Sequence, residues 1–178
     1  MFLDETGSIC ETIDSMGWMT RAADHKATRL AVTWIRVVSI WSMSALYIAV
    51  GIRHFTDPEF FLNIVPPALP FPLELVYITG AWEVLVGVLL WHPRTRRIAG
   101  WGTIILLVVV FPANVYLSME ETPQLALGIT SRQALIRLPF QLPLMLLAFW
   151  HSRQAHSTRF SVLCALLFFP TIGYFLTL

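Results

Sequence analysis

Thr79-Gly80-Ala81-Trp82-Glu83-Val84-Leu85-Val86-Gly87 places a carboxylate in the middle of an apolar run, residues 73–91, that is long enough to cross a bilayer. At about 1.5 Å of rise per residue, Glu83 falls roughly 15 Å from Leu73, near the midplane of a hydrocarbon core about 30 Å thick. A charge at that depth is costly unless it is paired, hydrated or protonated. Val76, Thr79, Gly80, Glu83 and Gly87 fall on one helical face, and small residues are where membrane helices approach one another closely. Glu83 is therefore expected to point into a helix bundle rather than into lipid.

The rest of the chain agrees with a membrane setting. Of its 178 residues 56% are hydrophobic and 13% charged, outside the range of a soluble domain, and the mean hydropathy is +0.66. Five uninterrupted apolar segments, residues 33–52, 73–91, 98–118, 132–150 and 160–178, each approach the roughly 20 residues a helical span needs. They lack the alternation of barrel strands, so the expected fold is all-α, a polytopic membrane helix bundle. The basic residues set an orientation. Arg21, Lys26, Arg29 and Arg36 precede the first span, Arg94, Arg96 and Arg97 fill the second loop, and Arg153 and Arg159 the fourth. Only Arg53, Arg132 and Arg137 sit on the other side, which puts the N-terminus inside and, with five spans, the C-terminus outside. No basic patch interleaved with aromatics marks a nucleic-acid surface. Cys10 and Cys164 form neither a CxxC pair nor a disulfide framework, and Cys164 reads as a small packing residue in an apolar span.

Residues 1–32 are polar, with acids before bases, and resemble neither an export signal nor an import peptide. Ile13, Met16, Trp18 and Met19 suit an interfacial amphipathic helix, and a flexible tail is the alternative. The first span carries Ser44, Tyr47, Gly51 and His54 at spacings of three and four, which makes a polar face. Residues 55–72 hold five prolines and four phenylalanines. One straight helix is excluded there, and a short helix from about Pro58 followed by a stiff turn is expected, either as a lid over the bundle mouth or as an interfacial anchor. In the third span Pro112 interrupts the backbone ladder beside Asn114, which can cap freed backbone groups or meet a ligand. Residues 119–131 read as a solvated connection. In the fourth span Gln133, Arg137 and Gln141 recur every four residues as one polar stripe, with Pro139 and Pro143 bending the helix. Matched depths lead to the expectation that Glu83 and Arg137 pair, directly or through one water.

Gly51-Ile-Arg-His54-Phe, Ile64-Val-Pro-Pro-Ala-Leu-Pro70, Gly80-Ala-Trp-Glu83, Pro93-Arg-Thr-Arg-Arg97, Phe111-Pro-Ala-Asn114 and Arg137-Leu-Pro-Phe-Gln141 follow one another in an order that resembles the DoxX family of small membrane proteins. The resemblance covers residues 33–150, leaving 1–32 as an N-terminal polar segment and 151–178 as a basic loop with an extra helix. It implies a four-helix DoxX-like core plus a fifth C-terminal transmembrane helix, the latter a departure from the usual four that suits a docking surface. Some members are similar to a membrane subunit of quinone-linked sulfur oxidoreductases, some associate with redox proteins, and a related animal branch assists receptor assembly. His54, Pro66, Gly80, Glu83, Asn114, Arg137 and Gln141 match the family pattern.

These readings converge on a cofactor-free membrane subunit of a larger, quinone-linked complex in a bacterial or organellar inner membrane. Its polar pocket would be built from Tyr47, His54, Glu83, Asn114, Arg137 and Gln141 and would hold a quinone or lipid head group. Its partners would be membrane lipid and other membrane-protein subunits. A ligand-free assembly subunit, locked by its buried charges, is the alternative, and a small proton-coupled transporter ranks below both. The histidines do not cluster for a metal: His54 has Asp57 near it in sequence, while His92, His151 and His156 lie on the other side.

Overall fold

A computed structural model describes the backbone of residues 5–153 and 156–176 and the side chains of residues 25–153 and 156–174. Two compact units divide the chain, Met1–Ile35 and Arg36–Leu178. The helices are α1 (Glu5–Thr56), α2 (Pro58–Leu62), α3 (Pro72–Trp91), α4 (Arg96–Met119), α5 (Glu121–Leu127), α6 (Ser131–Ser152) and α7 (Thr158–Leu176), with no strand among the described residues. The first unit is helical from Glu5 onward, while Cys10 and the apolar side chains at Ile13, Met16, Trp18 and Met19 lie outside the described side chains.

Four helices are long and apolar enough to cross a membrane: His25–Thr56 within α1, then α3, α4 and α6. The α7 stretch Thr158–Tyr174 is apolar but shorter. Boundaries follow local chemistry. Pro72 opens α3, where a missing N–H costs nothing, and the extended backbone at His92 before Pro93 closes it. The segment expected to be a plain connection after α4 is partly helical. Gln124 of α5 is buried, donates to the Leu117 carbonyl at 2.9 Å and accepts from Ser131 Oγ at 2.6 Å, so it ties both neighbouring helices. Gln133 also departs from the expected membrane stripe. With Thr130 it forms a capping box that satisfies the first N–H groups of α6.

Within the second unit the helices meet where glycine removes a side chain. A Cβ on Gly80 would lie 2.4 Å from His54 Cβ, one on Gly51 2.7 Å from the Gly80 carbonyl oxygen, and one on Gly87 2.7 Å from Ile48. Ser44 donates to the Gly87 carbonyl at 2.6 Å along the same seam. The α1–α3 contact is thus the small-residue kind anticipated from the face carrying Glu83. On the other side Gly100 of α4 sits against Ala148 and Ser152 of α6. Met43, Tyr47, Val86, Leu90, Leu106 and Leu144 fill the space between. α7 packs on α6, where Trp150 donates to Ser161 Oγ at 3.3 Å and Tyr174 stacks on Phe140 at 4.2 Å.

One end of this unit gathers basic side chains. Arg36 donates to the Trp150 carbonyl at 2.9 Å and to that of Arg153, satisfying carbonyls at the C-terminal end of α6, while Arg96 donates to the Leu90 carbonyl at 3.0 Å below α3. Trp41 meets Trp91 edge-on at 5.3 Å at the same level. Arg36→Met should remove those charged hydrogen bonds and cost about 1.5–3 kcal/mol, read as a fall in unfolding midpoint in detergent. An unchanged midpoint would mean that water serves the α6 carbonyls equally well.

Candidate functional site

A cavity of about 410 Å³ lies at the opposite end of the Arg36–Leu178 unit, beneath residues 60–69. Tyr47 and His54 come to it from α1, Glu83 from α3, Asn114 from α4, and Arg137 and Gln141 from α6. All six side chains selected from the sequence line this one space. The α1 face carrying Ser44, Tyr47, Gly51 and His54 is buried throughout, which puts its polar groups inside the unit. Phe60 and Phe61 of α2, with Ile64, Val65, Pro66 and Leu69 after it, line the cavity from above, so residues 55–72 have a chamber beneath them.

His54 and Glu83 form the centre of the site. Their side chains are 8% and 13% exposed, and His54 Nδ1 lies 3.3 Å from Glu83 Oε2. The same nitrogen sits 2.9 Å from the Val50 carbonyl of the preceding turn, which accepts its proton and fixes the ring. Phe61 stacks on that ring at 3.5 Å with 20° between the planes. Further out, Arg53 pairs with Asp57 at 3.3 Å and lies over Phe60 at 4.2 Å, tying the end of α1 to the lid.

A direct ion pair between Glu83 and Arg137, one of the two forms expected from their depths, is not formed. Among the described residues the pairs within 4.0 Å are Arg53–Asp57 and His54–Glu83. Both side chains reach the same cavity, but direction around the helix axis decides contact. Gly51 and Gly80 bring α1 against the Glu83 face of α3, and His54, one turn beyond Gly51, arrives first.

What remains is a set of buried polar atoms without hydrogen-bond partners: Tyr47 Oη, Glu83 Oε2, Arg137 Nε and Gln141 Oε1. Buried polar groups are normally satisfied, and these four surround one cavity. It offers donors at Tyr47 and Arg137 and acceptors at Glu83 and Gln141, with apolar walls from Val76, Leu107, Val110 and Leu144. No group of three or more His, Cys, Asp or Glu comes together among the described residues.

Sequence reading passed over two parts of the arrangement. Arg53 and Thr79 line the cavity, the first having served only as a topology marker and the second only as a small packing residue. His151 is buried and lies 3.0 Å from Ser39 Oγ, joining α6 to α1 at the basic end. No motif or spacing signalled that contact, because it links residues more than a hundred positions apart.

No curated protein and no solved structure matches this chain. A family match does cover residues 43–152, which contain every cavity-lining side chain and the α3, α4 and α6 spans, and stops before α7. The chain belongs to the family described as Domain of unknown function (DUF8561).

Proposed function

We propose that this protein is an integral membrane subunit that binds a small amphiphile, a quinone or a lipid through its head group, in the lidded cavity between α1, α3, α4 and α6. The observation that carries this reading is the set of four unpartnered buried polar atoms surrounding a cavity with a ring-stacking phenylalanine above it. A flat or compact polar head would satisfy them, and Phe60 and Phe61 would cover it. The DoxX-like order of motifs supports placing the subunit in a quinone-linked electron-transfer complex of a bacterial or organellar inner membrane. The protein holds no cofactor of its own in this reading, and its partners are lipid and other membrane subunits, with α7 providing a further crossing and a docking face.

The test is direct. Protein extracted in mild detergent is expected to retain about one equivalent of an isoprenoid quinone or a polar lipid, identified by mass spectrometry. Thr79→Trp, which fills the cavity from α3, and Arg137→Leu, which removes its cationic donor, should each lower retention at least tenfold. Equal retention by wild type and both variants would end this reading.

Orientation belongs to the same proposal. The basic end containing Arg36, Arg96 and Arg153 faces inward by the positive-inside rule, so the lid and cavity mouth face outward. A cysteine introduced at Arg96, in a background lacking Cys10 and Cys164, should react with an impermeant thiol reagent only after the membrane is opened. Reaction in sealed cells from outside would invert the topology.

A further inference from the structure

Resting on the reading just given, a second feature specifies the kind of ligand. Beside the polar cavity is an apolar groove of about 340 Å³ lined by Val108 and Phe111 of α4 and by Leu138, Gln141, Leu142 and Met145 of α6. The α6 members are spaced by three and four and the α4 members by three, so each set occupies one face of its helix. Val108, Phe111 and Leu142 are 57%, 44% and 65% exposed, which places the groove on the outward face of the unit, where a spanning bundle meets lipid tails.

Gln141 lines both spaces and is the side chain they share. It is 5% exposed, its Oε1 has no partner, and its Nε2 reaches the Leu107 carbonyl only at 3.5 Å. A long hydrogen bond from one side chain is therefore the polar link across the α4–α6 seam at this level. The backbone is loosened at the same place. Pro112 cannot donate to the Val108 carbonyl, nor Pro143 to that of Pro139, so both helices lack a ladder bond beside Gln141.

We infer that the cavity and groove form one continuous site for a tailed amphiphile, the head among Tyr47, Glu83 and Arg137 and a single hydrocarbon chain passing Gln141 to lie between Val108, Phe111, Leu138 and Met145. The two compartments have complementary chemistry: unsatisfied donors and acceptors in one, and an almost wholly apolar lining in the other. An aqueous ligand would have no use for the second. Gln141 marks the neck, where its amide can turn from the Leu107 carbonyl to the first polar atom of the bound head. The ligand enters sideways from the bilayer through the α4–α6 seam rather than through the lid.

Two probes separate the sources of such a chain: a decylbenzoquinone and a palmitoyl lysophosphatidylglycerol, each with a diazirine at the chain end. Full-length protein in phosphatidylcholine nanodiscs is photolabelled and the labelled residues are read by peptide mass spectrometry, with and without tenfold excess of the unlabelled compound. One probe is expected to label Val108–Phe111 or Leu138–Met145 at least fivefold above the competed level, and its identity names the source. Thr79→Trp in the cavity and Leu142→Trp in the groove should each remove the competed fraction. Two results overturn the inference. If groove labelling is not competed while a ring-azido decylbenzoquinone labels Phe61 or Glu83 competitively, a head site exists without this tail site. If neither chain-end nor ring probe is competed anywhere, the proposed binding function fails and the continuous site falls with it.

Discussion

His54→Leu is expected to cost about 3 kcal/mol of stability in detergent, several times the cost of Glu83→Leu, and the double variant should be more stable than the two single losses predict. The asymmetry follows from where each partner is left. Without Glu83, His54 keeps its bond to the Val50 carbonyl and its stacking on Phe61, and a neutral imidazole needs no counter-charge. Without His54, Glu83 loses its one ionisable partner within 4.0 Å, the imidazole Nδ1–H, and keeps a buried oxygen with no hydrogen bond. An unpaired buried carboxylate is the expensive outcome. Coupling between the two should be about 1–3 kcal/mol, in the range for residues in contact. A parallel cycle between Glu83 and Arg137 should show the weaker coupling, since no direct ion pair joins them. Coupling that appeared with Arg137 and vanished with His54 would restore the pairing inferred from depth and refute the one in the structure.

Gly80→Val should be at least as damaging, with an expected loss of about 3 kcal/mol and near-complete loss of ligand retention. The first methyl-sized atom alone would stand 2.4 Å from His54 Cβ and 2.9 Å from the ring carbon attached to it, closer than packed carbons tolerate. Relief requires α1 to move away from α3, which lengthens the His54–Glu83 contact and unstacks Phe61. Gly51→Val attacks the same seam against the Gly80 carbonyl and should behave alike. Gly173 is the control: nothing lies within 4 Å of a Cβ there, and it sits in α7. Gly173→Ala should leave the unfolding midpoint unchanged or raise it, because alanine favours a helix by about 1 kcal/mol over glycine. Equal effects at Gly80 and Gly173 would show that close approach of α1 and α3 is not what the glycine provides.

The membrane class is legible from composition and the length of the apolar runs, and five of the six polar side chains of the site from periodicity. Tyr47 and His54 share a face with Ser44 and Gly51, Glu83 shares one with Gly80 and Gly87, and Arg137 and Gln141 share a third. Faces that cannot meet lipid must meet each other, so these five side chains converge on one cavity, where Asn114 of α4 joins them. The short helix at Pro58 is legible for a related reason, since the prolines after it leave the backbone few other paths.

Helical phase shows which side of a helix is polar, but not which neighbour that side meets or at what distance. Gln133 shares the spacing of Arg137 and Gln141 and yet caps α6, because proximity to the helix start outweighs periodicity. Glu83 could have met any cation of similar depth, and the glycine-lined approach of α1 to α3 selects His54 while Arg137 keeps an unpartnered nitrogen in the same cavity. The contact of Ser39 with His151 and the position of Gln141 between cavity and groove are likewise products of assembly. The sequence by itself therefore determined the long apolar helices, their buried faces and the polar residues that must be shielded from lipid, though not the short α5, because burial preference and local hydrogen bonding act over a few residues. Only the tertiary structure decided the partners, because contact between helices depends on rotation and separation to within about an ångström, set by packing along the whole seam.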